Sequence, residues 1–424
     1  MTTSIRAARL LLGLFAAIAL AGGLAVANLS PSQLWSTTRL ILYVVAPLLL
    51  GLIAGTVAIR RPALSPTFLI YLACTGIALQ LAEVVLARTE PAAAPATGPA
   101  IAATAPTHFC PGTLPGAAGS MAIAGRATLP LTGLSNSPVG EGLDGKVRQT
   151  DERGLKNPAG LWSQAPVDVV AVGDSFTFGA DVPIGAGFVD RIRARIPSTI
   201  NLGCGGNDPL AELAGLVEYG TTLRPRVVLW VFYEGNDLTK NILNELKSPV
   251  LSRYLDPTFR QDLVLRQQEI DDHLRGFLQQ RPPSALAPTA ARGIDVFETV
   301  TLSTLRTRLG LRHAYGPTAL DAFDKTLMRA VVTVKGWGGR LVFVYLPAET
   351  RFASSIARAD ARGYAAKVQE VAAKYGVPII DVAASLESES NPRSLFRGHF
   401  TVEGYAKTAE IILKDLVARR LLRR

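Results

Sequence analysis

The chain has 424 residues and a formal net charge of +10, with 48% hydrophobic residues and only 18% charged ones. That length holds a membrane part plus one sizeable soluble domain. The positive charge forms no zinc finger, no RNA-binding signature and no basic run interleaved with aromatics, which excludes a dedicated nucleic-acid-binding module.

The apolar excess opens the chain. Uncharged stretches predict three membrane-spanning helices at about 10–28, 40–59 and 64–87, an anchor occupying residues 1–89. A helix rising about 1.5 Å per residue needs about 20 residues to cross a hydrocarbon core of about 30 Å, and each stretch approaches that. Arg6 and Arg9 precede the first stretch and Arg60-Arg61 separates the second from the third, so the positive-inside rule sets these ends in the cytoplasm. Three crossings then deliver everything after Arg88 to the other face. The expectation is a multi-pass protein of the cytoplasmic (inner) membrane, in contact with the bilayer, its soluble domain extracytoplasmic. Ala25-Val26-Ala27 would also serve as a signal-peptide cleavage site, and cleavage there leaves the domain outside all the same.

Residues 90–145 are rich in Ala, Pro and Gly and read as a linker. Of three cysteines, Cys74 falls in the third hydrophobic stretch, while Cys110 and Cys204 would both face an oxidising compartment, where they could pair. From residue 146 to 424 the composition is that of a globular domain. Strand signals at 167–172, 199–202, 226–232, 340–346 and 378–382 alternate with helical ones at 188–195, 209–218, 361–375 and 402–422. Such alternation implies an α/β domain with a parallel sheet covered by helices on both faces. Residues 241–336 interrupt the pattern as a helix-rich insertion, in which 262–280 reads as one amphipathic helix.

Ligands of an open parallel sheet bind at the C-terminal ends of its strands. The first strand is followed by Gly173-Asp174-Ser175-Phe176-Thr177-Phe178-Gly179, the second by a glycine-rich turn containing Gly203, and the third by Gly235-Asn236-Asp237. The last helix is preceded by Gly398-His399-Phe400. A serine, a base to take its proton, and donors for a developing oxyanion are what acyl transfer requires. Ser175 is the candidate nucleophile and His399 the candidate base; the Gly203 N–H and the Asn236 amide are candidate oxyanion donors. Asp174 and Asp237 read as structural support for their loops. His108, His273 and His313 sit at no comparable position. No Cys/His set has metal-ligand spacing and no phosphate-binding glycine motif is present, so neither metal nor cofactor is expected.

These four blocks, in this order, resemble those of the SGNH (GDSL-type) hydrolases over about residues 150–424. The resemblance implies a three-layer, flavodoxin-like domain and a serine esterase working through an acyl-serine intermediate. Combined with the extracytoplasmic placement, it points to O-acyl, chiefly O-acetyl, esters of envelope or exported glycans. One feature departs from the family pattern: the aspartate expected two or three residues before the histidine is replaced by Phe396 and Arg397. A Ser-His dyad, with a backbone carbonyl or a distant carboxylate such as Asp381 holding the imidazole, would be one answer. Two other readings stay open. One is a glycan O-acyltransferase using the same Ser-His site, with a membrane partner delivering the acyl donor. The other is a non-catalytic glycan-binding or assembly protein on a degenerate SGNH scaffold.

Overall fold

The structure, a computed structural model, describes residues 2–29, 37–89, 138–139, 148–149, 151–164, 166–238, 240–268, 270, 302, 305–306 and 317–421. The chain divides into two compact units: Met1–Ala94 with Thr289–Gly316 and Thr350–Lys367, and Pro95–Pro288 with Pro317–Glu349 and Val368–Arg424.

In the first unit, α1 (Thr3–Leu29) is followed by α2 (Thr37–Leu40), which runs through a π-helical turn, Ile41–Val45, into α3 (Ala46–Arg60); α4 is Ser65–Thr89. Three spans here, Thr3–Asn28, Ile41–Arg60 and Pro62–Leu86, are long and apolar enough to cross a membrane, as the sequence predicts. Small residues let these helices approach. A Cβ on Gly51 would sit 2.8 Å from Leu20 Cγ and 3.0 Å from the Ala16 carbonyl, and Leu12, Ala16, Ala54 and Ala58 form the buried seam. Two polar contacts bring distant chain onto this unit. Arg39 Nε and Nη2 donate to the two carboxylate oxygens of Asp360 at 2.7 and 2.9 Å, both side chains buried. Glu83 Oε2 accepts the Leu305 N–H at 2.7 Å.

In the second unit a short antiparallel pair, β1 (Pro138–Val139) and β2 (Arg148–Gln149), precedes the main sheet. That sheet is all parallel, in the order β4 (Thr199–Asn201), β3 (Val169–Val172), β5 (Val227–Tyr233), β6 (Arg340–Leu346), β7 (Ile379–Asp381). Every residue of β3 is buried, which explains why its sequence is an unbroken apolar run rather than an alternating one. The helices of this unit are α5 (Ser175–Phe178), α6 (Phe188–Arg193), α7 (Pro209–Gly215), α8 (Thr221–Leu223), α9 (Lys240–Lys247), α10 (Pro317–Gly336), α12 (Val382–Leu386) and α13 (Val402–Ala418), together with the end of α11 (Ser355–Lys374), whose residues up to Lys367 belong to the first unit. α7, α9 and α10 pack on one another, and α6 and α12 pack on α13, giving the two helical layers.

Counting only these five strands, the order is 2-1-3-4-5, the flavodoxin-like winding, with its switch point between the first and third strands. The sequence expectation differs from the fold in the region it reads as an insertion. α10 falls inside residues 241–336 yet is the regular crossover helix between β5 and β6, packed against β6. The helix expected from residue 262 does not start there: Asp262 has a left-handed φ of 55°, and Leu263–Arg266 is a 3₁₀ turn. Residues 271–280 lie outside the described set.

Candidate active site

The switch point puts the ends of β3 and β5 side by side, and three separate pieces of chain meet there. The first is α5, a single helical turn carrying Ser175. One turn cannot hold itself together, because nucleating a helix costs more than its first hydrogen bond returns. It is therefore fastened from outside. Asp174 Oδ1 accepts the Phe176 N–H at 2.9 Å at its start, and Gly179 closes it in a left-handed conformation, φ 76°.

The second piece is a tight hairpin, β8 (Phe396–Arg397) against β9 (His399–Phe400), turning at Gly398 with φ 80°. It delivers His399 to the serine: His399 Nε2 stands 2.8 Å from Ser175 Oγ. The ring of Phe176 packs against His399 at 4.9 Å and stacks on Tyr233 at 4.0 Å, closing the floor beneath the pair.

The third piece supplies the carboxylate that the histidine block lacks. Asp181, just past the nucleophile turn, places Oδ2 2.7 Å from His399 Nδ1. Asp181 has φ 61°, a left-handed conformation that Asp tolerates better than most side chains. The hydrogen bond to His399 holds its carboxyl below the ordinary range, with the charges of His399 and Arg397 acting in the same direction against partial burial. Asp381 is spent elsewhere: it accepts the Ala384 N–H at 2.8 Å as the cap of α12, and the Gln369 amide at 2.7 Å. The imidazole is thus held by a side-chain carboxylate, and neither Asp381 nor a backbone carbonyl is its partner.

Of the other expected residues, Asn236 stands beside Asp174, where its amide helps to hold that carboxyl down against burial, which pushes it up to about 6. Asp237 Oδ2 accepts the Tyr233 N–H at 2.7 Å and ties the end of β5. Gly203 lies against α5 so closely that a Cβ would sit 2.6 Å from Phe178 N and 2.7 Å from Thr177 C. Its N–H donates to Asn201 Oδ1 at 2.8 Å, a bond that competes with the oxyanion role expected of it. The neighbouring Cys204 is buried and disulfide-bonded, while Cys74 is free. Cys110, His108, His273 and His313 lie outside the described residues.

Behind the site is a cluster of buried carboxyls. Burial, reinforced by the neighbouring acids, raises Asp208 to about 9 and Glu212 and Asp237 well above their ordinary values; burial raises Glu245 to about 8. Among the described residues neither Glu212 oxygen has a hydrogen-bond partner, and no three His, Cys, Asp or Glu side chains are placed to hold a metal ion.

A hydroxyl, an imidazole and a carboxylate stand in hydrogen-bonded series at the mouth of a doubly wound sheet, an arrangement suited to acyl transfer. Residues 171–407 match the GDSL-like Lipase/Acylhydrolase family, more than half of the chain, and the protein belongs to that family. It is a hydrolase acting on ester bonds, preceded by helices long and apolar enough for membrane association. Among curated proteins none matches the chain. Solved structures similar to it include a lipase/acylhydrolase from Enterococcus faecalis, at 14% identity and TM-score 0.33, covering 59% of this chain and 96% of that one. An acetyl xylan esterase is 14% identical with TM-score 0.34, over 59% of this chain and all of that one. An alpha/beta hydrolase enzyme from the metagenome of Lake Arreo, Spain, is 18% identical with TM-score 0.34, over 62% and 100%. Likenesses this remote carry no argument about this chain.

Proposed function

We propose that the protein is a membrane-anchored serine esterase that removes O-acyl groups, chiefly O-acetyl, from envelope or exported glycans outside the cytoplasmic membrane. The observation that carries the chemistry is the Ser175–His399–Asp181 series, at 2.8 and 2.7 Å. His399 Nε2 takes the Ser175 proton as Oγ attacks the ester carbonyl. Asp181 fixes the imidazole so that Nδ1 carries its proton and Nε2 is the free base. The tetrahedral oxyanion falls to the Asn236 amide and to the Ser175 N–H, which, at the start of α5, has no intrahelical acceptor. His399 then protonates the departing sugar oxygen, and water enters by the same steps to release the carboxylic acid and restore Ser175.

The placement is supported by two observations. A disulfide at Cys204 suits an oxidising compartment. Arg39, whose end of the anchor is opposite to that of Arg6, Arg9 and Arg60-Arg61, is paired with Asp360 from the later chain rather than left as a cytoplasmic charge. The non-catalytic reading drew on the absent acid, and Asp181 removes its motive.

The test uses the full chain in detergent, with p-nitrophenyl acetate, an O-acetylated polysaccharide and a fluorophosphonate probe. Labelling and acetate release, both abolished by Ser175→Ala and His399→Ala, are expected. A folded wild-type protein that neither labels nor releases acetate would overturn the assignment. Faster transfer of acetyl to an added glycan than to water would make it a transferase.

A further inference from the structure

α5 is fastened at its far end as well, by a residue outside the Ser175–His399–Asp181 series. The residue is Asn201, the last of β4, buried at the edge of the sheet. Its carboxamide makes two bonds in opposite senses. Nδ2 donates to the Thr177 carbonyl at 2.9 Å, and Oδ1 accepts the Gly203 N–H at 2.8 Å. The first satisfies a carbonyl at the end of a helix too short to satisfy it internally. The second turns the Gly203 peptide toward Asn201.

Asn201 is in turn held like a residue inside a sheet, although β4 is an edge strand. The Asn157 carboxamide replaces the missing neighbour: its Oδ1 accepts the Asn201 N–H at 2.8 Å and its Nδ2 donates to the Asn201 carbonyl at 3.0 Å. Arg193 Nη2 also donates to Asn157 Oδ1, at 2.7 Å. Asn157 Nδ2 and Trp162 Nε1 both reach Asp151 Oδ2 at 2.8 Å. The series thus runs from Asp151 through Asn157 and Asn201 to the turn bearing Ser175, with every carboxamide used as donor and acceptor. Such a series fixes orientation, because reversing any one amide breaks bonds on both sides.

We infer that Asn201 is a positioning residue for the nucleophile, and that the Gly203 N–H is a structural tie to it rather than an oxyanion donor. The inference rests on the esterase reading and deepens it. Gly203 is then required for close approach, since the Cβ it lacks would meet the Phe178 N.

The experiment compares full-length wild type, Asn201→Leu and Asn201→Asp in detergent, measuring kcat, KM, fluorophosphonate labelling rate and thermal stability. Leu removes both bonds while filling the space. A displacement of about 1 Å at a reacting atom costs about 10² in rate, so kcat and labelling are expected to fall together by about that factor, with KM within about twofold. If the Gly203 N–H were an oxyanion donor that Asn201 merely competes for, its release would leave kcat unchanged or higher. That result overturns the inference. Asn201→Asp answers the case in which Leu prevents folding. The introduced carboxyl, when protonated, can donate to Thr177 and accept from Gly203; when ionised it repels the Thr177 carbonyl. The ratio of variant to wild-type kcat should therefore fall as pH rises, a trend that a merely space-filling role would not produce. A flat ratio also overturns the inference. Absence of labelling in wild type would instead refute the esterase reading itself, and the two failures are distinct.

Discussion

Asp181→Asn should be among the most damaging single changes outside Ser175 and His399, and its size follows from the geometry. In a serine-protease triad, replacing the acid by its amide costs about 10⁴ in kcat, largely because the amide holds the wrong imidazole tautomer. Asp181 makes the same 2.7 Å contact with Nδ1, but its side chain is 65% exposed. Water therefore screens its charge, and the electrostatic share of the loss is smaller than for a buried acid. A drop of about 10² to 10³ is expected, or about 3–4 kcal/mol at 1.36 kcal/mol per tenfold. Asp181→Ala should be no worse than Asp181→Asn, because water can accept from Nδ1–H whereas the introduced amide can donate to Nδ1 and leave the proton on Nε2. KM should change little, since the carboxylate touches the imidazole rather than the ester. The assay is initial-rate hydrolysis of p-nitrophenyl acetate at pH 7 to 8, with Asp381→Ala as the companion variant, expected to keep wild-type kcat. The reasoning is refuted if Asp181→Asn stays within about threefold of wild type, or if Asp381→Ala is equally slow. The pH sign is fixed by the depressed Asp181 carboxyl. Its ionised partnership with His399 persists below the ordinary aspartate range and is lost only as pH falls through that lowered value.

Other outcomes follow from packing and charge. Gly203→Ala forces a methyl to within 2.6 Å of Phe178 N; thermal unfolding should show a loss of about 1–3 kcal/mol, with kcat reduced through displacement of α5. The buried carboxyls Asp208 and Glu245, raised to about 9 and about 8, bind protons in the folded state that the unfolded chain releases above the ordinary carboxylate range. Stability should therefore fall as pH rises from about 5 to about 9. Glu212→Gln should flatten that fall, and an unchanged slope in thermal melts would count against a protonated Glu212. Asp360→Ala leaves Arg39 buried without its carboxylate and should cost about 3–5 kcal/mol in detergent-solubilised full chain. The exchange Arg39→Asp with Asp360→Arg should recover part of it, and no recovery would argue that packing rather than charge is at stake.

The serine, the histidine and the strands that carry them were legible because each follows or precedes a strongly patterned element. β3 and β5 are apolar runs, and a residue at the end of such a run can be assigned to the rim before any coordinates exist. Asp181 was not legible. It lies in a turn without periodicity, and a triad acid has only to reach Nδ1 in space, so no spacing to His399, 218 positions away, identifies it. The Arg39–Asp360 pair was hidden for the same reason, at a separation of 321 residues. The bond from Gly203 to Asn201 escaped for another cause: a backbone N–H has the same chemistry in every glycine turn, and only its direction says which acceptor it serves. α10 does not stand out in the sequence because its neighbours there are charged and irregular, although the helix itself packs on β6 as an ordinary crossover does.

The position of the acid changes which part of the site is vulnerable. Ser175 opens α5 and Asp181 follows it six residues on, so their separation is set by one short segment of chain, which Lys156 holds at the Gly179 carbonyl and Tyr405 at the Ala180 carbonyl. His399 is the piece brought from elsewhere, and both of its hydrogen bonds depend on how the β8–β9 hairpin is set. Gly398 turns that hairpin with φ 80°, and a Cβ there would meet nothing within 4 Å. Gly398→Ala therefore introduces left-handed backbone strain of about 1–2 kcal/mol and no clash. If the hairpin relaxes to relieve it, His399 loses register with Ser175 and Asp181 together, and kcat should fall about five- to thirtyfold. Gly376→Ala is the control, with φ 67° and equally open space, at the turn before β7. The two variants should lose similar thermal stability, while only Gly398→Ala loses turnover. Equal activity in both would mean that the hairpin is held by its packing on Phe176 and α13, and that Gly398 is dispensable to the alignment of His399.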